Sequence, residues 1–488
     1  MRYFIKKWIK EQIPILQKSL PLLKQLTDPQ TLTEFLSQMQ NMTIQMGGTI
    51  EKADGTEEII TCLEQFCEHL YLIYRAVEEG EGIQKPLYDA SQELRKILIL
   101  ADQCQTEYKI VFLPYKASMW DSMESVYLAA KDRDDVICQI VPIPYFNKDE
   151  NNTKIEKVYE GDYLKREYDI LDYREYHIEE EQPDIIFIHN PYDNWNKVTE
   201  IDTAYFSANL KKTGAVLVYL PYFLSGYCKK LENMAGCRTP GSINADYIIV
   251  QNENQKKAFQ FWEIEEKKLL PLGSPKIDYV QKLMKQEKGC LENWNERLQG
   301  RVVFLLNSGI HTFLNNKNWI DQIEKIIRSV ISRPECGLIW RPHPLLRNTI
   351  ISMKPEALKR FDDLHSLIEH SENAVLDFEE EYKHAFLYSD AMISDYSSLV
   401  LLYTYTGKPT YLLKGTAENR QKIVFCDYFS NYFKEDGLCI EDYIENVCHE
   451  TDPQKDERMH YAQMSVANAN GTCGKKILEQ IIQRMEKQ

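Results

Sequence analysis

The chain has 488 residues, of which 43% are hydrophobic and 27% charged, values that are ordinary for a globular protein and long enough for two or three domains. Its 20 glycines and 19 prolines exclude collagen-like and low-complexity chains. The 58 basic and 74 acidic side chains give a net charge of −16, which argues against a general nucleic-acid binder but not against a local site for a small anion.

The first 25 residues depart from this acidic balance. They hold six basic side chains against one acidic one, Glu11, so their net charge is +5. Apolar residues recur among them at helical spacing: Phe4, Ile5, Trp8, Ile9, Ile13, Ile15 and Leu16. This pattern predicts an amphipathic helix, which either attaches to an anionic membrane leaflet or packs its apolar side on the protein.

Residues 1–105 are predicted to be helical throughout, because apolar residues recur at helical spacing and no strand pattern interrupts them. Short apolar runs then alternate with helical stretches in two series. The first series has predicted strands at Lys109–Leu113, Val136–Ile143, Asp184–Ile188, Ala215–Leu220 and Tyr247–Val250. The second has them at Val302–Leu306, Gly337–Trp340, Ala374–Leu376, Ala391–Ile393 and Thr410–Leu413.

This alternation is typical of parallel sheets covered on both faces by helices. A polar stretch, Lys285–Gly300, separates the two series. Asp456–Lys487 is predicted as a C-terminal helix that packs back on the first α/β domain. We therefore expect an α/β protein with a helical region (1–105), a first Rossmann-like domain (106–285), a second (300–455) and a C-terminal helix (456–488), with a cleft between the two α/β domains.

Twelve cysteines are scattered without a C-x-x-C pair, which indicates reduced, mostly buried thiols and a cytosolic setting. No signal peptide is evident. The uncharged run Thr213–Cys228 is too short for a membrane-spanning helix and contains Pro221, so we expect a buried strand followed by a loop.

Polar residues follow two predicted strands of the first domain. Asp121 and Glu124 have capping-box spacing at the start of a helix, a position that also attracts anions. Asn190 and Asp193 follow the strand that ends at His189, where side chains face the cleft of such sheets, although an Asn-Pro turn explains this pattern as well.

The segment Leu272–Lys276 closes the first domain. Gly273 and Pro275 set a tight bend there, and Ser274 and Lys276 are candidates to contact a phosphate. A hinge between domains needs no ligand and is compatible with the same residues.

The segment R-P-H-P (341–344) follows a predicted strand of the second domain. Two prolines fix the backbone around His343, and Arg341 lies two residues before it, so the pair is a candidate clamp for a phosphate or an oxyanion. The alternative is a structural histidine that bonds to the backbone.

The segment S-D-Y-S-S (394–398) lies between a predicted strand and an apolar helix. Ser394, Asp395, Ser397 and Ser398 place hydroxyl and amide donors at a helix N-terminus, which suits a pyrophosphate. Serine and aspartate are also ordinary N-caps. Because Walker A, dinucleotide-binding, H-E-x-x-H and G-x-S-x-G motifs are absent from the sequence, common kinases, dehydrogenases, zincins and α/β-hydrolases lose support.

R-P-H-P (341–344), S-D-Y-S-S (394–398) and G-K-P (407–409), in this order, resemble the CDP-glycerol glycerophosphotransferase family, the teichoic acid primases and polymerases of Gram-positive bacteria. L-G-S-P-K-I-D (272–278), W-D-S (120–122) and N-G-T-C-G-K-K-I (470–477) support the resemblance, which covers roughly residues 108–488. It implies a GT-B fold and transfer of glycerol phosphate from CDP-glycerol to an acceptor hydroxyl, with release of CMP. It also implies that His343 contacts the donor pyrophosphate and that Ser397 and Ser398 bind its oxygens.

The chain departs from the family at one motif. Family members usually carry W-H-G after a strand of the first domain, and its histidine is the proposed general base, whereas Val218–Phe223 stands in that place here and has no histidine. Asp193, His189 and Asp121 are substitutes by position.

Two other functions remain open: a GT-B glycosyltransferase that uses a nucleotide sugar, and a non-catalytic nucleotide-binding member of the family. We expect no cofactor and no tightly bound metal. The expected partners are CDP-glycerol or a related CDP-alcohol and a lipid-linked or polymer acceptor, at the inner face of the cell membrane.

Overall fold

The computed structural model describes residues 1–26, 28–52, 56–225, 231–287, 291–395, 397–413 and 439–487. The chain divides into two compact units. Unit 1 comprises Met1–Val111, Lys131–Gln139 and Ile178–Ile185, and unit 2 comprises Phe112–Ala130, Ile140–His177 and Ile186–Gln488. Tyr396 of the S-D-Y-S-S segment lies outside the described residues.

Unit 1 is built mainly from four long helices, as predicted for the N-terminal region. They are α1 (Tyr3–Ser19), α2 (Pro29–Lys52), α3 (Glu57–Glu78) and α4 (Gln84–Gln103). Helix α3 packs on α2 and α4, and α1 packs on α4, so that one apolar core runs through the bundle. The first residues of β1 (Tyr108–Leu113), most of β2 (Val136–Ile140) and the short helix α7 (Ile178–Glu181) belong to the same unit.

The apolar face of α1 is used inside unit 1. Ile5, Ile9 and Ile13 are at most 1% exposed and join the bundle core. Lys6 donates to the Cys104 carbonyl at 2.8 Å, which fixes the start of the helix against the end of α4. Of the two interpretations of this amphipathic segment, the contacts are those of a helix packed on its own protein.

The first sheet of unit 2 includes four neighbouring strands in the order β5–β7–β8–β9. They are β5 (Ile185–Ile188), β7 (Val216–Tyr219), β8 (Tyr247–Ile249) and β9 (Leu269–Leu270). The pairs β7–β8 and β8–β9 are parallel. The central strands are buried at nearly every position, as expected when helices cover both faces. The helices of this region are α5 (Glu124–Lys131), α6 (Gly161–Leu164), α8 (Ser207–Lys212), α9 (Pro240–Asn244), α10 (Glu253–Phe261) and α11 (Pro275–Leu283).

A small antiparallel sheet in unit 2 was not predicted. Its strand order is β4–β3–β6, formed by β3 (Tyr145–Lys148), β4 (Lys154–Val158) and β6 (Thr199–Ile201). The strand predicted over Val136–Ile143 ends at Ile140. Pro142 and Pro144 follow, and prolines lack the N–H that a ladder needs.

The second sheet of unit 2 has five parallel strands in the order β12–β11–β10–β13–β14. They are β10 (Val302–Ser308), β11 (Cys336–Pro342), β12 (Ala374–Leu376), β13 (Ala391–Ser394) and β14 (Thr410–Leu412). The helices around them are α12 (Glu292–Leu298), α13 (Ile310–Asn315), α14 (Trp319–Ile331), α15 (Leu346–Met353), α16 (Leu358–Glu369), α17 (Lys383–Tyr388), α18 (Ser398–Tyr403) and α19 (Ile440–Cys448). Helix α12 lies within the stretch predicted as a polar break, because Trp294 and Leu298 bury one face of it.

The predicted C-terminal helix is in fact two helices, α20 (Lys455–Ser465) and α21 (Cys473–Glu486). Gly471, with φ of 83°, lies in the break between them. The Asp278 carboxylate accepts hydrogen bonds from the backbone N–H groups of Cys473 at 3.3 Å and Gly474 at 2.8 Å, so it caps α21 and ties it to α11. A Cβ on Gly474 would lie 2.3 Å from the Ser125 carbonyl carbon, so the helix start contacts α5 closely. Among the described helices, we find none with the length and apolar character that crossing a membrane requires.

Candidate functional site

Three adjacent strands of the second sheet bring polar side chains to one edge. Asn307 in β10 pairs in register with Arg341 in β11 and with Ser394 in β13. Because the strands are parallel, their carboxyl ends lie at the same edge, where α/β sheets usually bind ligands. The two motif segments are therefore neighbours in space although more than 50 residues separate Arg341 from Ser394 along the chain.

Asn307 links the two predicted serines. Its amide Nδ2 donates to Ser394 Oγ at 2.8 Å and to Ser397 Oγ at 3.1 Å, and the residue is 8% exposed. Sequence reasoning missed Asn307 because the predicted strand ended at Leu306, one residue too early.

Asp395 is completely buried and faces the loop after β10. Its Oδ2 accepts a hydrogen bond from the Gly309 N–H at 2.6 Å. Burial raises the pKa of Asp395 to about 6, although hydrogen bonds from Gly309 and Thr312 act in the opposite direction. A Cβ on Gly309 would lie 3.1 Å from Asp395 Oδ1, so a glycine permits this close approach. Asp395 thus holds this loop, and its direct contact with a ligand stays a prediction.

Ser397 precedes α18, but its hydroxyl makes no capping bond to the helix amides. It accepts from Asn307 instead, so capping alone does not account for this serine. Ser398 is exposed at the first position of the helix.

Arg341 already has partners within the protein. Its guanidinium donates to Asp377 Oδ2 at 2.5 Å and to the Glu380 carbonyl at 3.1 Å. Burial raises the pKa of Asp377, and the neighbouring Arg341 partly offsets that rise. The arginine is therefore held at the carboxyl end of β11 by a buried carboxylate. Some of its N–H donors are already bonded, so it contributes positive charge rather than all of its hydrogen bonds.

His343 is anchored on one side and open on the other. Its backbone N–H donates to the Ser308 carbonyl at 2.8 Å, and its ring Nδ1 accepts from the Leu345 N–H at 3.2 Å. The residue is exposed, and desolvation of the part that packs on the protein lowers the pKa of the imidazole. With Nδ1 as an acceptor, the neutral ring carries its proton on Nε2, which can donate to an anionic oxygen.

A second cluster joins Asp121 to Lys276 and Tyr382. Asp121 Oδ2 accepts from the Lys276 ammonium and from the Tyr382 hydroxyl, and the ammonium lies 5.7 Å from the centre of the Tyr382 ring. The predicted helix-capping role of Asp121 is not seen, since its described bonds go to these side chains. Lys276 is 8% exposed and paired with Asp121, and its contact with a phosphate stays a prediction.

Asp121 also borders a cavity of about 50 Å³, and its Oδ1 has no hydrogen-bond partner among the described residues. Glu124, the other member of the predicted capping box, instead accepts from the Lys282 ammonium at 2.6 Å. Ser274 precedes α11, is 4% exposed, and its hydroxyl likewise has no partner among the described residues.

The predicted residues of the first sheet are bound within their own loops. Asp193 accepts from the Ser207 N–H at 3.1 Å and from the Ser207 hydroxyl at 2.7 Å, and burial raises the pKa of this carboxyl. Asn190 is buried, and its Oδ1 accepts from the Tyr192 N–H at 3.1 Å. This bond is the one expected of an Asn-Pro turn, the alternative interpretation of this segment. Within the described ranges, we find no hydrogen bond that joins Asp193 or Asn190 to Asn307 or Arg341.

His189 is also fixed inside the first sheet. It is fully buried, its Nε2 accepts from the Tyr115 N–H at 3.1 Å, and burial lowers the pKa of its ring to about 3. A larger cavity, of about 560 Å³, is lined by other parts of unit 2, among them Leu224, Gln251 and Tyr405. None of the predicted site residues lines it, so we do not assign the chemistry there.

Comparisons with known proteins agree with this architecture. A UDP-N-acetylglucosamine 2-epimerase structure from Listeria monocytogenes is 15% identical with a TM-score of 0.54, covering 78% of this chain and 98% of that one. A second UDP-N-acetylglucosamine 2-epimerase is 13% identical with a TM-score of 0.51, covering 79% and 98%. The wall teichoic acid polymerase TagF is 13% identical with a TM-score of 0.47, covering 87% and 98%. The two epimerase likenesses, together with the two parallel sheets, confirm the predicted GT-B-like α/β fold.

No curated protein matches the chain. Residues 238–419, however, match the family model described as CDP-Glycerol:Poly(glycerophosphate) glycerophosphotransferase. The matched residues include both R-P-H-P and S-D-Y-S-S, so the resemblance predicted from these motifs is confirmed over this part of the chain.

Proposed function

We propose that the protein transfers glycerol phosphate, or a related polyol phosphate, from CDP-glycerol to an acceptor hydroxyl and releases CMP during synthesis of teichoic acid or a related cell-surface polymer. The family match supports this activity. The observation that carries the proposal is the meeting of R-P-H-P and S-D-Y-S-S at the carboxyl ends of three adjacent parallel strands, with Asn307 between them.

The donor pyrophosphate binds at the carboxyl ends of β10, β11 and β13. His343 donates from Nε2 to a phosphate oxygen, Ser397 donates its hydroxyl proton, and Arg341 adds a positive field. The acceptor oxygen attacks the phosphorus that bears glycerol, the bond from that phosphorus to the bridging oxygen breaks, and CMP leaves with the electron pair. Donors that face the phosphate oxygens stabilise the charge that builds up on them, so catalysis is mostly positioning and electrostatics.

The acceptor proton needs a route that does not use the family histidine. Tyr222 stands near that place, and burial raises the pKa of its hydroxyl, so it is a poor base. His189 and Asp193 have their polar atoms bonded within the protein. Asp121 keeps one carboxylate oxygen without a partner among the described residues, so among the three substitutes it is the one we propose as proton acceptor.

A direct assay tests the activity. The full chain is incubated with CDP-glycerol and a glycerol-phosphate primer, and CMP is measured over time. We expect release that His343→Ala lowers by about 100-fold or more and that Ser352→Ala, a variant of an exposed hydroxyl on α15, leaves unchanged. Equal rates for the wild type and His343→Ala would contradict the proposal.

The bonded state of His189 and Asp193 favours one alternative, a nucleotide-binding protein without turnover. It predicts that CDP-glycerol raises the melting temperature while no CMP appears. The same thermal-shift experiment with UDP-sugars separates a glycosyltransferase, which would be stabilised by a UDP-sugar and not by CDP-glycerol.

The division of the chain and its location belong to the same proposal. Residues 1–105 form the helical region, 106–285 the acceptor domain, 300–455 the donor domain and 456–488 the returning C-terminal segment. The acceptor is lipid-linked or polymeric, and the protein works in the cytoplasm at the inner face of the membrane.

Lys7, Lys18 and Lys24 are exposed, whereas the apolar face of α1 is buried, so any attachment to anionic lipid is electrostatic.

This form of attachment has its own test. Co-sedimentation with vesicles containing an anionic lipid should fall when Lys7, Lys18 and Lys24 are changed to Glu, and should also fall at high salt. Substitution is preferable to removal of residues 1–25, because α1 supplies part of the bundle core. Binding that is the same for the wild type and the triple variant would contradict the proposed attachment.

A further inference from the structure

We propose that Asn307 is a positioning residue that turns the Ser397 hydroxyl into a hydrogen-bond donor for the phosphate groups of the substrate. The inference rests on the proposed function and adds a residue that no motif includes. Asn307 lies in the central strand of the second sheet, in register with Arg341 on one side and Ser394 on the other.

The direction of each hydrogen bond follows from a proton count. A serine hydroxyl has one proton to donate, and the Ser394 hydroxyl donates its proton to the Asp395 carbonyl at 2.5 Å. Ser394 therefore accepts from Asn307, which requires that the NH2 end of the Asn307 amide faces the serines. That NH2 group has two hydrogens, and Ser394 and Ser397 take one each.

The consequence for Ser397 is chemical. Its oxygen accepts from Asn307, and its hydroxyl proton has no acceptor in the described hydrogen bonds of this segment. Phosphate oxygens at neutral pH are acceptors, so they need donors of this kind. Asn307 thus leaves the Ser397 hydroxyl as a hydrogen-bond donor, which is what a phosphate oxygen requires.

Burial fixes the orientation of the Asn307 amide. Asn307 is 8% exposed, Ser394 is 0% exposed, and both belong to strands whose backbones are hydrogen-bonded to each other. A buried amide whose two protons are already paired does not reorient at low cost, because turning it would leave buried polar atoms unpaired. The Ser397 donor is therefore set before the substrate arrives.

Two variants reverse or remove this effect. Asn307→Asp has the same shape, but a carboxylate accepts hydrogen bonds, so it would take the Ser397 proton away from the ligand and add negative charge beside it. Asn307→Ala leaves the Ser397 hydroxyl free to rotate. Asn348→Asp, on an exposed position of α15, is the matched control that adds the same charge outside the site.

The experiment measures binding of CDP-glycerol and of inorganic pyrophosphate by calorimetry, together with kcat and KM for CMP release. We expect Asn307→Asp to weaken binding of both ligands by about 10- to 100-fold, with a smaller loss for Asn307→Ala and none for Asn348→Asp. Because Asn307 acts through Ser397, we expect the double variant Asn307→Ala with Ser397→Ala to bind no worse than Ser397→Ala alone.

The outcomes are distinguishable. Wild-type binding of CDP-glycerol with unchanged binding by Asn307→Asp overturns the inference and leaves the proposed function standing. Additive losses in the double variant overturn the route through Ser397. A wild type that binds neither CDP-glycerol nor pyrophosphate overturns both the proposed function and the inference. A melting temperature of Asn307→Asp near that of the wild type establishes that lost binding is not lost folding.

Discussion

Asp395 connects the S-D-Y-S-S segment to the stability of the second sheet, and its replacement by asparagine gives a sharp test. The carboxyl is 0% exposed and holds the Gly309 N–H at 2.6 Å. Asparagine has the same shape and keeps an oxygen for that N–H, but it does not ionise. Asp395→Asn therefore removes one buried titration while preserving the contact that orients the loop after β10.

The magnitude follows from the pKa. Burial raises the pKa of Asp395 from its ordinary 3.8 to about 6, so the folded protein binds the proton more tightly than the unfolded chain does. The contribution of this group to the free energy of unfolding then falls as pH rises between those two values and is constant above the upper one. The total loss is about 3 kcal/mol, of which about 1.4 kcal/mol falls between pH 5 and pH 8.

Urea unfolding at a series of pH values from 5 to 8 measures this effect. The free energy of unfolding of Asp395→Asn minus that of the wild type should grow by about 1.4 kcal/mol across the series, whatever its offset at pH 5. Ser398→Ala, a neighbour that does not titrate, should give a constant difference. A constant difference for Asp395→Asn as well would refute the reasoning that burial holds this carboxyl against ionisation.

Three further predictions concern other parts of unit 2. His343→Gln, which places an amide N–H near the position of the ring Nε2, should retain more CMP release than His343→Ala, for which we expect a loss of about 100-fold or more. Lys276→Met leaves the Asp121 carboxylate buried without its cation and should cost about 3–5 kcal/mol in urea unfolding, part of which Asp121→Asn in the same chain should restore. Gly273→Ala should lower the free energy of unfolding by at least about 1–3 kcal/mol, because Gly273 has φ of 106° and a Cβ there would lie 2.0 Å from the Ala467 carbonyl oxygen.

Apolar runs made the two parallel sheets predictable from sequence, because strands buried on both faces consist of continuous apolar residues. The strand over Ala374–Leu376 has the predicted limits. The antiparallel sheet was missed because Lys154–Val158 is mostly exposed and carries no such run. The break within the C-terminal segment lies at Gly471, and the cap of the second helix could not be predicted locally because Asp278 is nearly 200 residues away.

In the candidate site, too, local features were predictable and tertiary contacts were not. His343 and Ser397 were predicted because strand exits marked by proline, serine and aspartate are visible in the local sequence. The pairing of Arg341 with Asp377 and of Asp121 with Lys276 was not predicted, because it depends on the tertiary fold. Asn307 had the weakest local signal, since it is an isolated asparagine at the end of an apolar run.

The parallel register of β10 with β11 and β13 also bears on how this site tolerates insertions and deletions. The segments that connect these strands run over the outside of the sheet, so residues gained or lost there leave Asn307 opposite Arg341 and Ser394. A single residue removed from within β10 would instead turn Asn307 to the opposite face of the sheet, because side chains alternate with a period of two. Homologues that keep the activity should therefore differ in length between these strands and match in length within them.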